Sequence, residues 1–334
     1  MNEDVAMTPD DAPVGESLRR DTAPTAGEKQ PSLADDRVIA RIVRDMGVET
    51  PHLLGEGGEG LVFAYDVERV IKVYKRTTVA YLRRLQALQA TLADAALPFA
   101  TPAIAEIHQA GRVCYTVEKK LNGRPLDERL ATLGEREAQR ALAAYFDALP
   151  ALHAVALLAE PYGQLLPRAD RLRAAIWPDF LLAKLEQRAR VSWPWLARDV
   201  QRLGEKLRGL ERLIADLPAE PRKTLVHGDY SQYNVLLDDR LEVSAVLDFS
   251  LYTVVGDHRL DVACAVIFPE VSPSVRTSDL GFLRARAARM YGADIEQAIR
   301  LYRLWYSFYN ADNYWKSKEI YALCVDAITN SGLD

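Results

Sequence analysis

The spacing of apolar residues along this chain changes period several times, and each change marks a new element. Between residues 33 and 46, Val38, Ile39, Ile42 and Val43 recur at helical spacing behind the capping-type Ser32, which predicts a short leading helix. From 52 to 75 the pattern becomes short runs of Val, Ile, Tyr and Phe. Runs 61–65 and 70–74 flank a turn-like segment at 66–69 and read as a hairpin. Helical spacing returns over 77–97 with Tyr81, Leu82, Leu85, Leu88 and Leu92, and Pro98 closes it. Two further strand-like runs, 104–109 and 113–118, surround a turn at Ala110 and Gly111.

Beyond Asn122, Gly123 and Pro125 the character shifts. Segments 130–158 and 176–214 are long, rich in Leu and Ala, and helical in period. Inside this helical half, 224–249 is an island of short apolar runs broken by polar loops. The expectation is an α+β fold of two lobes. Residues 33–121 form a small lobe of antiparallel sheet plus helix, and 122–334 a larger, mainly helical lobe. Residues 1–32, which alternate acids, prolines and small residues, read as a disordered tail with no apolar core for a signal or membrane span.

Composition narrows the function classes. A 334-residue chain with 49% hydrophobic residues, 27% charged residues and a net charge of -5 is an ordinary globular protein, with no polycation to meet a phosphate backbone. Neither nucleic acid nor membrane is expected as a partner. Cys114, Cys264 and Cys324 are too scattered for a structural zinc site and are expected as buried free thiols in a reducing, cytoplasmic setting.

Candidate chemistry begins at Gly55-Glu56-Gly57-Gly58-Glu59-Gly60-Leu61-Val62, which satisfies GxGxxGxV. Bare backbone amides at Gly55, Gly57, Gly58 and Gly60 can approach phosphate oxygens with no side chain between them. The strand-like residues that follow Gly60 disfavour a dinucleotide fold, which needs a helix there, and no Gly-Lys-Ser/Thr follows to make a P-loop. Lys72 sits inside the apolar run 70–73, where an ammonium is costly unless it meets an anion; a nucleotide phosphate supplies one.

The second signal is His227-Gly228-Asp229-Tyr230-Ser231-Gln232-Tyr233-Asn234, followed by Val246-Leu247-Asp248-Phe249. Phosphoryl transfer uses a hard cation that prefers carboxylate and amide oxygens, the role suited to Asn234 and Asp248. A separate carboxylate must orient the attacking hydroxyl and take its proton, the role suited to Asp229. Each acid alone is as readily a loop cap. Together, in this order behind the glycine loop and Lys72, they point to an ATP-dependent phosphotransferase.

At these motifs the chain resembles the aminoglycoside phosphotransferase and choline kinase group, relatives of the protein kinases. The resemblance rests on His227, Gly228, Asp229, Asn234 and Asp248, with Gly256-Asp257 and Asp261-Val262-Ala263 downstream, and spans roughly residue 53 onward. It implies ATP, or GTP in its place, with Mg2+ and a small-molecule hydroxyl as acceptor. It further implies a hinge over 117–121 with backbone groups near Glu118 and Lys120 facing adenine, and structural roles for His153, His227, Asp257 and Asp261.

One departure stands out. Kinase-like folds pair the strand lysine with a glutamate of the next helix, yet 77–98 contains none and leaves Gln86, Gln89 and Asp94 as its polar candidates. That gap motivates a competing reading, a nucleotide-binding regulator with weak or no turnover. A protein kinase is disfavoured: about a dozen residues separate Asp248 from Leu260, and no Ala-Pro-Glu closes them. On the acceptor side, Trp305, Tyr309 and Asp312 lie at helical spacing and are candidates for holding a cationic or sugar-like molecule. Most rings of that segment read equally well as helix packing.

Overall fold

The computed structural model describes residues 36–48, 50–57, 59–155, 157–167, 169–312 and 317–333. The expected tail, Ser32 and Gly58 lie outside them. The first lobe runs α1 (Asp36–Asp45), β1 (Leu53–Glu56), β2 (Gly60–Ala64), β3 (Arg69–Tyr74), α2 (Val79–Asp94), β4 (Ile104–Ala110) and β5 (Val113–Lys119). Its strands form one antiparallel sheet in the order β1-β2-β3-β5-β4. Alternation along β2 and β3 sends Phe63, Ile71 and Val73 to one face, where they bury Ile39, Ile42 and Val43 of α1. Tyr74 and Cys114, on the other face, pack with Tyr81, Leu82, Leu85, Leu88 and Leu92 of α2. Each such buried side chain contributes roughly 1.5–3 kcal/mol. The helix starts where Thr78 accepts a hydrogen bond from the Tyr81 backbone N–H.

The second lobe contains β6 (Arg124–Pro125), α3 (Leu126–Leu130), α4 (Glu135–Asp147), α5 (Leu149–His153), β7 (Tyr162–Gln164), β8 (Arg173–Ala174), α6 (Trp177–Asp199) and α7 (Leu203–Ala215). There follow β9 (Thr224–Val226), β10 (Val235–Leu237), β11 (Val243–Val246), β12 (Val254–Gly256), α8 (Arg259–Ile267), a 3-10 turn at Phe268–Val271, α9 (Thr277–Tyr291), α10 (Ile295–Asn310) and α11 (Lys318–Thr329). Two small sheets, β11-β10-β6 and β8-β7-β12-β9, carry the loops of the island among these helices. The large core is continuous from α2 to α11, and the three cysteines are buried free thiols. Among the described residues no helix is long and apolar enough to cross a membrane.

Two expected long helices are shorter in fact. Segment 176–214 breaks where Arg202 takes a left-handed φ of 54°, two residues before Gly204. Segment 130–158 breaks at Gly134, the N-cap of α4, and again near Pro150, at the start of α5.

Candidate active site

Val62, Lys72 and Thr116 are direct cross-strand partners, so all three side chains stand on the sheet face opposite α1. The glycine loop crosses from β1 to β2 at the edge of that face. Gly57 N–H donates to the Gly60 carbonyl at 2.9 Å. A Cβ on Gly60 would lie 2.1 Å from the Val73 carbonyl oxygen, so only glycine fits. Gly55 and Gly57 are exposed with open space around them, leaving bare backbone toward solvent.

Lys72 Nζ lies 3.0 Å from a Glu59 carboxylate oxygen and 3.9 Å from Asp248. Burial by itself would lower the pKa of this ammonium; the carboxylates of Glu59, Asp248 and Glu118 more than reverse that and hold it above its usual range. The pKa of Glu59 is raised by desolvation against the opposing pull of Lys72. Tyr81 of α2 reaches the other Glu59 oxygen at 3.5 Å. The helix candidates for pairing Lys72 are engaged elsewhere. Gln86 donates to the Ile104 carbonyl, Gln89 accepts from the Ile104 N–H, and Asp94 is exposed. The partner is Glu59 of the glycine loop, an unspecified position of GxGxxGxV that carries no signal in the sequence.

In the second lobe, buried Asp261 of α8 accepts the backbone N–H groups of His227 and Gly228, both at 2.8 Å, and holds the island in place. His227 bridges two loops. Its Nε2 lies 2.7 Å from the Leu247 carbonyl, and its Nδ1 accepts from the Asp229 N–H at 3.2 Å, which assigns the proton to Nε2. Gly228 has φ 74°, and its carbonyl accepts from Tyr306 of α10 at 2.6 Å. Asn234 Nδ2 donates to the Asp229 carbonyl at 2.9 Å and to its carboxylate at 3.1 Å. Asp248 sits after β11 at φ 59°, a left-handed conformation that an Asp tolerates and that turns the chain back toward Lys72. Desolvation, reinforced by Asp248, pushes the pKa of Asp229 up to about 7; the Asn234 hydrogen bond opposes it.

Asn234 spends its amide hydrogens on Asp229 and so keeps its oxygen as a donor; Asp248 adds a partly exposed carboxylate. Among the described residues no cluster of three or more His, Cys, Asp or Glu side chains could hold a metal alone. Two hard oxygen donors with coordination left over fit a magnesium ion that shares its ligands with phosphate groups. The model of the phosphotransferase enzyme family matches residues 51–302, which include the glycine loop, Lys72, Asp229, Asn234 and Asp248.

The chain belongs to that family.

No curated protein is significantly similar in sequence. Solved structures share the kinase-like two-lobed fold. The streptomycin-ATP-APH(2")-IIa ternary complex superposes with TM-score 0.60 at 18% identity, covering 90% of this chain and 98% of that one. The GDP and kanamycin complex of APH(2")-IIia gives 0.60 at 14%, covering 85% and 93%. The macrolide 2'-phosphotransferase MphH from Brachybacterium faecium, an apoenzyme, gives 0.52 at 16%, covering 88% and 97%. The family member described here is accordingly a phosphotransferase of kinase-like fold.

In the segment expected as a hinge, Glu118 is buried and its carboxylate accepts from Tyr74 at 3.0 Å and Thr116 at 2.5 Å. The Lys120 N–H donates to the Glu68 carbonyl at 2.7 Å. Near the residues expected to meet the acceptor, a small cavity is lined by Phe180, Leu251, Tyr252, Trp305, Tyr306 and Tyr309. It adjoins the island, because a Cβ on Gly228 would strike the Tyr252 carbonyl and Tyr306 bonds the Gly228 carbonyl. Trp305 is nearly buried and donates to the Leu181 carbonyl, making it a wall of the cavity. Asp312, expected to meet a cationic ligand, is paired with Arg188 at 2.5 Å, and that guanidinium stands 4.7 Å over the Tyr309 ring. Tyr252, Tyr306 and Arg188 carried no motif that could have singled them out.

Proposed function

We propose that this phosphotransferase moves the gamma-phosphate of ATP, with Mg2+, onto a hydroxyl of a small molecule. The observation that carries the proposal is that Lys72 of the first lobe lies 3.9 Å from Asp248 of the second, while Asn234 donates to Asp229 at 3.1 Å and the Asp248 charge is felt at Asp229. Asp229 orients the acceptor hydroxyl and takes its proton as the oxygen bonds to phosphorus and the bond to the leaving diphosphate breaks. Its pKa near 7 suits a base working at neutral pH. Lys72 holds phosphate oxygens beneath the glycine loop. Asn234 and Asp248 would hold the metal, which when bound neutralises phosphate charge. Neighbours of the same fold are described with ATP or GDP and with aminoglycosides, which supports a nucleotide donor and a polyhydroxylated acceptor. We take the acceptor to be an aminoglycoside-like antibiotic, an amino alcohol or a sugar-like metabolite, and the setting to be cytoplasmic.

The test is transfer from gamma-labelled ATP to a panel of aminoglycosides, macrolides, amino alcohols and sugars with magnesium present. Labelled product from the wild type, lost in Asp229→Ala while calorimetric ATP binding persists, supports the proposal. ATP binding with no product across the panel would favour a nucleotide-binding regulator.

A further inference from the structure

The helix after β3 lacks the glutamate that kinase-like folds use to steer the strand lysine, and the glycine loop supplies a carboxylate in the same space. We infer that Glu59 does the work of the missing helix glutamate, positioning Lys72 for the phosphates and coupling that position to the glycine loop. This rests on the phosphotransfer reading above and adds a residue that no motif of the fold assigns.

Three features carry it. First, the Glu59 carboxylate spans the two elements that a helix glutamate would join. One oxygen lies 3.0 Å from Lys72 Nζ on β3, and the other is at the outer limit of a hydrogen bond, 3.5 Å, from the Tyr81 hydroxyl on α2. Second, the backbone at Glu59 is pinned. Its carbonyl accepts the Lys75 N–H at 2.8 Å, and the next residue, Gly60, is pressed against Val73. The β2–β3 pairing therefore delivers the carboxylate to one place. Third, α2 offers no rival: Gln86 and Gln89 are spent on Ile104, and Asp94 is exposed. The ion pair is partly shielded, with side-chain exposures of 19% for Lys72 and 26% for Glu59, so it orients the ammonium more firmly than a surface pair would. A loop that swings away takes the carboxylate with it, and Lys72 loses its guide.

The opposite role for the same contact is occlusion, with the carboxylate lying where phosphate oxygens belong and repelling them. Glu59→Gln, Glu59→Asp, Lys72→Met and the Glu59→Gln/Lys72→Met double variant separate the two, read by kcat, by KM for ATP and by calorimetric MgATP affinity. Positioning predicts that Glu59→Gln lowers kcat by about 10- to 100-fold, with a smaller change in KM. It also predicts partial recovery in Glu59→Asp and no further loss of kcat or MgATP affinity from Glu59→Gln once Lys72 is Met. Tyr81→Glu added to Glu59→Gln moves the acid onto the helix and should restore part of kcat. The inference is overturned if Glu59→Gln binds MgATP more tightly with kcat kept or raised, or if its effect is undiminished in the Lys72→Met background. Should no acceptor turn over, the coupling is still read in MgATP affinity. A wild type that binds no nucleotide sinks the phosphotransfer reading and this inference together, whereas intact wild-type transfer with uncoupled residues sinks this inference alone.

Discussion

The side-chain amide of Asn234 donates both to the carbonyl and to the carboxylate of Asp229, at 2.9 and 3.1 Å, so the proposed metal ligand and the proposed base are one hydrogen-bonded unit. Asn234→Ala removes an oxygen donor and frees the base at once. Its magnesium requirement is expected to rise by about tenfold or more, and kcat to fall by a similar factor, measured by titrating Mg2+ at saturating ATP. An unchanged magnesium dependence would remove Asn234 from the metal site.

Asp229 makes stability depend on pH in a stated direction. Its folded pKa, near 7, lies above the unfolded value of about 3.9, so between those values the native state keeps a proton that the unfolded chain has released. The stabilising contribution is whole below about pH 4 and is lost as pH rises through 7. In chelator, with no metal to compensate, the wild type should melt at a lower temperature at pH 8 than at pH 5.5. Asp229→Asn should flatten the profile and be more stable at pH 8 by on the order of 2 kcal/mol, less than the full shift because the carboxylate keeps some solvent contact and the Asn234 hydrogen bond favours its charged form. Parallel pH profiles for the two proteins would refute this.

Asp261 accepts two backbone N–H groups at zero exposure. Asp261→Ala orphans both donors and is expected to cost about 3 kcal/mol or more, read as a lower denaturant midpoint at unchanged m-value. Transfer activity should fall further than the loss of folded protein explains, because His227 and Gly228 carry Asp229.

Two glycines with similar φ should respond differently to alanine. At Gly228, φ 74°, the added Cβ would meet the Tyr252 carbonyl at 2.1 Å; at Gly292, φ 87°, it would meet nothing within 4 Å. Gly292→Ala should cost about 1–3 kcal/mol of backbone strain and leave kcat unchanged. Gly228→Ala should lower kcat by about 100-fold or more through displacement of the island. Equal kinetic effects would mean that the contact with Tyr252 does not hold the loop.

The elements easiest to read were those whose apolar spacing is sustained. Tyr81, Leu82, Leu85, Leu88 and Leu92 predicted α2 and all five are buried in it. Strand β1 escaped because its four residues are exposed and share no apolar face. Of the sheet β8-β7-β12-β9 only β9 showed, as the apolar run 225–226 of the island, because strands of two or three residues have no period to read. The break at Arg202 escaped because nothing in its side chain demands a left-handed backbone.

Sequence by itself determined the family and singled out the residues proposed for the chemistry, because catalytic loops constrain residue types at short spacing: Asp229 and Asn234 are five apart, with Asp248 one hairpin later. Tertiary structure alone decided that Lys72 turns to Glu59 and not to α2, and that Asp312 faces Arg188. Those pairings join residues far apart in the chain. Electrostatic partners are chosen by distance after folding, and no local pattern of hydrophobic and polar residues encodes that distance.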